Sequence, residues 1–420
     1  MQFDLLNVSL WKVIGIVFLA TLVAASIYPA MLLSSFKPIN ALKGKLLVGI
    51  GNASFRKVLV VCQFVFSVAL IISTLVINSQ LEFIRAKKLG YDKCNVFSVS
   101  MHDMQSHYDA VRSQLLKERS VLDVTVATKN IINVPGATLD VDWDGKDPNL
   151  SYFIHSVGID RNFISFFKIP LNAGTGFTGE KTDSAHFILN ETAVKEAGIK
   201  DPVGKRLRLG STTGTIIGVV RDFHFVSLKQ KIQPFVFYYE SAGDQLFIKT
   251  TGGDAADAIK AVGAMYKQYN PSFPFTYSFM DDSYDKLYKS DQRTGMLFNI
   301  FAIIAIVISC LGLFGLATYT AQVRVKEIGI RKVLGASVVN ITTLLSKDFL
   351  LLVILSIVIA TPIAWWAMNK WLMDFAYHSR ISWWIFVVTA LGAMGISIIT
   401  VSFQAIRAAI ANPVKSLRTE

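Results

Sequence analysis

The chain has 420 residues, 52% of them hydrophobic, and a formal net charge of +12. Its mean hydropathy of +0.45 argues against a wholly soluble protein. Residues 79–296 hold 26 Lys and Arg against 25 Asp and Glu, so the positive excess lies elsewhere, beside the apolar stretches, and we expect no nucleic-acid partner.

Five stretches contain no Asp, Glu, Lys or Arg over roughly 20 residues, the length that crosses the hydrocarbon core of a bilayer. Buried core helices rarely stay uncharged for that long, so we predict five transmembrane helices. The first is too long for a signal peptide and has only Lys12 immediately before it. The predicted spans are Val13–Leu33, Val58–Asn78, Leu297–Ala321, Phe349–Asn369 and Ser382–Ile406.

Basic residues concentrate in two of the segments between spans, 34–57 and 322–348. The positive-inside rule places both segments in the cytoplasm. Alternation then places 79–296 and the short loop 370–381 outside, and the tail from Arg407 inside. We therefore predict a multi-pass inner-membrane protein with a large domain in the periplasm.

The outer segment has the pattern of alternating strands and helices. A strand–helix–strand pattern occurs at its start, from "NVFSVSM" to "VLDVTVAT". The same pattern occurs again at its end, from "QLFIKTT" to "FPFTYSFM". The predicted fold is an α-helical membrane protein with five transmembrane helices and a large α/β extracytoplasmic domain, in which two βαβ units bracket a β-rich inserted lobe. Cys94 is the only cysteine of this domain, which excludes an internal disulfide. A helix from near Asp282 is expected to run past Arg293 into the third span as a stalk.

Three motifs in the outer segment suggest chemistry but lack a required residue. "GTGFTGEKT" (174–182) has Glu180 where a phosphate-binding loop needs Lys. The sequence from Asp140 to Gly145 begins like a calcium loop, but Ser151 stands where the closing acid should be. "RDFHF" (221–225) has no accompanying nucleophile pattern, which favours a structural turn with aromatic anchors. We therefore predict no catalytic residue, no metal and no cofactor.

The two ends of the chain are similar to each other. "YPAMLLSSFKPINALKG" after the first span aligns without gaps with "FQAIRAAIANPVKSLRT" after the last. This similarity suggests that the chain is the C-terminal part of a duplicated protein. The expected domains are the end of an incomplete first unit (1–51), a transmembrane helix (52–80), the outer domain (81–295) and a three-helix permease domain with a cytoplasmic helix (296–420).

The segment "VRVKEIGIRKVLGAS" (323–337) directly follows the third span. On a helical wheel Val323, Ile330 and Leu334 share a face, and Glu327 precedes Arg331 by four residues, the favourable order for an ion pair. A lipid-surface anchor would not need an acid or two glycines. The pattern favours a docking helix, while a lipid anchor or simple positive-inside charge remains an alternative.

The same segment resembles the signature of the MacB/FtsX-like permeases of ABC transporters, R-x-x-E-I-G-I-R-x-x-L-G-A-S. The tail "NPVKSLR" and the stretch from "FILNETAVKEAGIKDPVGKRLRL" to "GTIIGVVRDFHFVSLKQKIQP" are similar to the same family, in a form common among Bacteroidetes permeases. The resemblance identifies the segment as the helix that contacts the ATPase. Its residues are Arg324, Lys326, Glu327, Ile328, Gly329, Ile330, Arg331, Leu334, Gly335, Ala336 and Ser337.

The resemblance also implies partners and a mechanism. The partners are a cytoplasmic ABC ATPase that supplies the ATP hydrolysis, a second permease subunit or second copy, a periplasmic adaptor in some systems, and the lipid membrane. The implied mechanism is mechanotransmission, in which ATP binding moves the outer domain, for efflux or lipoprotein handling. The alternative is a non-transporting signal transmitter that controls a cell-wall hydrolase or a sensor kinase.

Overall fold

A computed structural model describes residues 8–34 and 50–410 of the chain. It divides into two compact units, Met1–Val60 and Val61–Glu420. The similarity between the two chain ends, the tail "NPVKSLR" and most of the segment 34–57 lie outside the described residues. The predicted domain boundaries stay predictions.

The α-helices of the described residues are numbered along the chain. They are α1 (Val8–Ser34), α2 (Ile50–Ala86), α3 (Tyr108–Leu115), α4 (Phe163–Phe166), α5 (Glu191–Ala197), α6 (Ala255–Tyr269), α7 (Met280–Leu287), α8 (Lys289–Val323), α9 (Val325–Val333), α10 (Val338–Leu372) and α11 (Trp383–Ile410).

The eleven strands of the described residues form one sheet. They are β1 (Val96–Ser100), β2 (Val121–Ala127), β3 (Val141–Trp143), β4 (His155–Ile159), β5 (Leu171–Gly174), β6 (His186–Asn190), β7 (Arg206–Leu209), β8 (Thr212–Val220), β9 (Phe235–Tyr239), β10 (Gln245–Thr250) and β11 (Tyr277–Phe279).

Four helices are long and apolar enough to cross a membrane, namely α2, α8, α10 and α11. Each contains one of the last four predicted spans to within a residue. Helix α1 covers the first predicted span, but the apolar part found among its described residues is the shorter stretch Trp11–Ile27. Four of the five predicted spans are therefore confirmed by length and composition, and the first stays a prediction.

The two predicted strand–helix–strand units form an interleaved four-stranded sheet. The strand order is β11-β1-β10-β2, so each unit's strands are separated by a strand of the other unit. The β-rich middle section continues the same sheet, in the order β4-β9-β6-β8-β7-β3, through the single pair Ala127 and Ile159. The inserted lobe is thus not a separate sheet, which the strand pattern alone could not predict.

Alternation along the strands places hydrophobic cores on both faces of this sheet. Phe97, Val99 and Leu246 pack with α3 and α6 on one face. Val96 and Phe247 belong to the core on the other face, which also contains residues of the membrane helices and the segments next to them: Ile84, Leu89, Met280, Tyr284, Tyr288 and Phe375. The outer domain and the upper ends of the membrane helices therefore share one hydrophobic core.

The stalk is not the continuous helix that the sequence predicts. Helix α7 ends at Leu287, α8 begins at Lys289, and Tyr288 between them has φ −108° and ψ 10°. The ring of Tyr288 is buried, and its hydroxyl oxygen accepts the amide hydrogen of Leu228 at 2.7 Å. This tertiary contact fixes the break where local helix propensity favours none.

The structure also explains the incomplete phosphate-loop motif. The buried Asp183 carboxylate accepts the amide hydrogens of Thr178 and Gly179, both at 2.7 Å, and pairs with His186 at 2.8 Å. The amides that a phosphate would need are therefore already occupied.

The aspartates of the calcium-like motif pair with arginines: Asp142 and Asp144 with Arg206, and Asp140 with Arg208. Among the described residues no group of His, Cys, Asp and Glu has the geometry of a metal site.

Asp183→Asn should destabilise the outer domain at neutral pH by about 1–3 kcal/mol, because the change leaves buried amide donors poorly satisfied. Burial alone would raise the pKa of Asp183, but hydrogen bonds from His186, Gly179 and Thr178 lower it below its ordinary value. A lowered folded-state pKa contributes stability above the unfolded pKa, and this contribution is lost as the pH falls through the folded pKa. The thermal midpoint of the variant should therefore approach that of the wild type at acid pH.

Asp257→Asn, at an exposed position of α6, is the control and should change stability by no more than about 0.5 kcal/mol. Equal thermal midpoints for Asp183→Asn and wild type at pH 7 would contradict this account of Asp183.

Candidate functional site

The candidate site is the segment from Arg324 to Ser337, which joins two membrane helices. Helix α9 occupies its middle, between the end of α8 and the start of α10. The single helix predicted across Val323 to Leu334 is wrong at its start, because the backbone breaks at Arg324. Arg324 lies 3.3 Å from Asp348 of α10, whereas Glu327 and Arg331 pair with each other within α9.

Helix α9 has one buried face and one exposed face at helical spacing. Ile328 is buried against Ile341 of α10 and Ala405 of α11, with Ala336 beside them. Gly329 is also buried in this face, where the absence of a side chain lets the neighbouring helices approach closely. This face seats the helix on the ends of two membrane helices.

The opposite face carries Glu327, Ile330, Arg331 and Leu334, in which Ile330 and Arg331 each lie three or four residues from both Glu327 and Leu334. We call these four residues the coupling face. Glu327 and Arg331 form an ion pair at 2.7 Å, and Leu334 is 81% exposed. This face is therefore both charged and apolar, with Ile330 and Leu334 exposed beside the formed ion pair. The backbone of Lys326 lies in the same helix, and its side chain is outside the described part of the chain.

The turn after α9 is a Schellman motif. The amide of Ala336 donates to the carbonyl of Arg331 at 2.9 Å, and the amide of Gly335 donates to that of Lys332 at 3.1 Å. Gly335 has a φ of +89°, which L side chains rarely adopt. Ser337 then caps α10 by accepting the amide hydrogen of Asn340 at 3.2 Å. The "LGAS" letters therefore set the angle between α9 and α10.

Among the described residues, few side-chain hydrogen bonds join the membrane helices. Ser67 and Ser309 share a hydrogen bond of 2.9 Å between α2 and α8, and Gln63 packs against Gly312 so closely that a Cβ at Gly312 would meet its Oε1 at 2.5 Å. Gly312 thus allows close packing of α2 and α8. Gly315, Gly392 and Gly395, in contrast, have open space around the Cβ position among the described residues.

A second set of contacts lies at the opposite end of the membrane helices, where sequence reasoning proposed only a structural turn. The segment after β8 contains "RDFHF", and its Phe223 and Phe225 are fully buried. His224 meets the ring of Tyr377, from the loop between α10 and α11, edge to face at 4.8 Å. Burial, and then the nearby Lys87, lower the pKa of His224 to about 4, so its ring is neutral at pH 7. The aromatic spacing was the available signal, but the partners are far away in sequence.

Two protein-family models match this chain. The MacB-like periplasmic core domain matches residues 64–262, and the FtsX-like permease C-terminal domain matches residues 299–413. The chain belongs to the MacB/FtsX-like ABC permease family. Within this family it is a multi-pass membrane protein with an extracytoplasmic domain of the periplasmic type.

Individual relatives are distant. The macrolide export ATP-binding/permease protein MacB of Chromobacterium violaceum is 26% identical, over 43% of this chain and 30% of its own length. The probable syringafactin export ATP-binding/permease protein SyfD of Pseudomonas syringae pv. syringae is 21% identical, over 43% of this chain and 30% of its own length. The chain thus spans about a third of the curated relatives it matches.

The periplasmic region of MacB from Actinobacillus actinomycetemcomitans gives a TM-score of 0.35 at 18% identity, covering 50% of this chain and 97% of that one. The extracellular domain of the noncanonic ABC-type transporter YknZ from Gram-positive bacteria gives a TM-score of 0.33 at 14% identity. That match covers 44% of this chain and 100% of that one.

Gly335→Ala should weaken the turn by about 1–2 kcal/mol, because a Cβ disfavours the left-handed backbone. The described atoms leave open space around that Cβ, so a steric clash does not contribute. Hydrogen–deuterium exchange of the peptide spanning 330–340 should accelerate, since the Ala336 and residue-335 amides lose protection.

In the Gly335→Asn variant the peptide spanning 330–340 should exchange more slowly than in Gly335→Ala, because asparagine tolerates a positive φ better. Gly253→Ala, where the Cβ position is also open and φ is not positive, is the control and should leave this peptide unchanged. Equal exchange in Gly335→Ala and wild type would mean that the φ of Gly335 does not hold the turn.

Proposed function

We propose that this chain is the permease subunit of an ABC transporter that couples ATP hydrolysis by a separate cytoplasmic ATPase to movement of its periplasmic domain. The coupling face of α9 carries the proposal. It is exposed, it combines an ion pair with bare apolar side chains, and its helix is seated on α10 and α11. A partner that binds this face therefore applies force directly to the ends of α10 and α11.

The membrane part favours force transmission over a polar pathway. The predicted spans contain no Asp, Glu, Lys or Arg, whereas a route for polar cargo normally exposes ionisable groups. Their internal hydrogen bonds, such as Ser67 with Ser309, close helix packing rather than line an opening. We propose that cargo for efflux or lipoprotein handling is moved outside the membrane by the periplasmic domain, in an assembly of two permease subunits in the inner membrane.

Glu327→Ala and Arg331→Ala should each abolish stable binding of the ATPase with little effect on folding. The pair is about half exposed on both sides, and such pairs contribute about 0.3–0.5 kcal/mol to a helix. Removing one charge at the centre of an interface can cost roughly 2–5 kcal/mol of binding. That cost corresponds to a roughly 30-fold to several-thousand-fold loss of affinity.

The measurement is co-purification of the ATPase with affinity-tagged permease, together with the thermal midpoint of each variant. Arg208→Ala, which removes an exposed ion pair of the outer domain, is the matched control and should retain the ATPase. If both α9 variants keep the ATPase at wild-type affinity, the segment is a lipid anchor instead.

The proposed topology places α9 in the cytoplasm and the outer domain in the periplasm. In a variant without Cys62, Cys94 and Cys310, an impermeant thiol reagent applied to whole cells should label Ser241→Cys and spare Ser337→Cys. Both positions are exposed, so accessibility within the chain does not bias the comparison.

Lysed cells provide the control, because both cysteines should then react. Labelling of position 337 with protection of position 241 in whole cells would reverse the topology and remove the cytoplasmic ATPase from the proposal.

A further inference from the structure

Residues 221–230 follow β8 and have no catalytic role in the proposed function. We call them the clamp loop. Five of them are buried, including Phe223, Phe225 and Leu228. This is the segment whose "RDFHF" letters resemble a catalytic motif. Its contacts reach three separate parts of the membrane domain.

The first contact is with the segment just after α2, which connects that helix to the outer sheet. The amide of His224 donates to the carbonyl of Leu89 at 2.7 Å. Gly90 has a φ of +87°, and a Cβ there would lie 2.8 Å from the carbonyl oxygen of Asp222. The two backbones therefore touch, and side chains cannot be inserted between them.

The second contact is with the start of α8, where the chain returns. The Leu228 amide donates to the Tyr288 hydroxyl at 2.7 Å, and the Lys229 ammonium lies 2.9 Å from Oδ1 of Asp291. The Asp291 carboxylate is only 10% exposed, and its Oδ2 is buried without a hydrogen-bond partner among the described atoms. Among the described residues, the Lys229 ammonium is thus the positive charge that pairs with this mostly buried carboxylate of the stalk.

The third contact is with the loop between α10 and α11. The amides of Ala376 and Tyr377 donate to the carbonyls of Lys229 and Leu228 at 3.3 and 3.1 Å. The Lys229 ammonium also lies 4.9 Å from the ring centre of Phe375, a buried residue of the domain core. Lys229 therefore touches both the stalk and this loop.

Gln80 completes the arrangement from the membrane side. Its fully buried side chain on α2 donates to the carbonyl of Tyr377 at 3.2 Å and accepts the amide hydrogen of Ser379 at 2.8 Å. Helices α2 and α8 and the loop between α10 and α11 are thus fastened both to the clamp loop and to one another. Separating them would expose buried polar groups and a shared hydrophobic core.

We propose that the clamp loop locks the outer domain to the membrane helices, so that force applied at α9 reaches the domain through a rigid joint. Lys229, with Gln80, positions the three attached parts. The transmission of force depends on the proposed ATPase coupling, whereas the locking itself does not. Movement of the domain then requires movement of α2, α8 and the α10–α11 loop together.

The locking is tested on the purified full chain without any ATPase. Spin labels are placed at Ser241 of the outer domain and Met296 of α8, both exposed, in the variant free of native cysteines. Double electron–electron resonance should give one narrow distance distribution. Lys229→Met combined with Gln80→Leu should lose this narrow peak, and Lys229→Arg should keep it.

Arg85→Met is the matched control, because Arg85 pairs with Asp285 at the same boundary but the pair is largely exposed. It should keep the narrow peak. If the Lys229→Met and Gln80→Leu double variant folds and shows the wild-type distribution, or if the wild type itself is broad, the proposed lock is wrong.

A second experiment measures transmission in the complex with the co-purified ATPase. The double variant should retain ATPase binding and hydrolysis but lose function in cells, whereas the coupling-face variants lose binding. Wild-type function in cells for a double variant whose distances are broad would mean that the lock exists but does not carry force. Failure of any ATPase to co-purify contradicts the proposed function and leaves the distance result to decide the lock.

Discussion

The structure depends on one shared hydrophobic core at the outer boundary of the membrane. Ile84 from α2, Tyr288 from the stalk and Phe375 from the α10–α11 loop pack with Phe223 and Phe247 of the outer sheet. A domain linked only through flexible connections would move independently of the membrane helices. Here the burial of apolar surface, which contributes about 25 cal/mol per Å² removed from water, holds the outer domain against the membrane helices. The few polar contacts across the core then fix its register.

The opposite end of the membrane helices follows another principle. Helix α9 buries one face and leaves the other exposed, and its position is set by the Schellman turn at Gly335 and the cap at Ser337. The ion pair on its exposed face contributes little to folding, because both charges remain in water. Residues that contribute little to stability yet form one exposed face are suited to binding a partner. We therefore propose a rigid joint at one end of the membrane domain and a docking surface at the other.

Much of the architecture could be predicted from the sequence, because charge-free stretches and strand alternation are local signals. The four long membrane helices, the strand–helix–strand pairs and the exposed Glu327–Arg331 pair follow from such signals. The interruption at Tyr288 could not be predicted, since a hydrogen bond from Leu228 causes it. The break at Arg324 and the continuity of the sheet through Ala127 and Ile159 likewise depend on contacts between distant segments.

The incomplete motifs show the same limit. A missing Lys excludes a phosphate loop, but only the structure shows that Asp183 occupies its amides. The letters "RDFHF" suggest a turn, but the partners that make this turn a joint, Leu89, Tyr288 and Tyr377, lie elsewhere in the chain. The positions of the eleven candidate residues within 324–337 were easier to interpret, because helical spacing alone sorts most of them into a buried and an exposed face.

The central claim is that force applied at α9 reaches the outer domain through a rigid chain. The most direct measurement is the distance between spin labels at Ser241 in the outer domain and Val339 at the exposed start of α10, in the permease–ATPase complex. It is recorded with and without a non-hydrolysable ATP analogue. Because a rigid chain moves as one body, a distance distribution that stays narrow and unshifted when nucleotide is added is the expected result. A distribution that shifts or broadens with nucleotide, while the ATPase remains bound and active, would contradict the account.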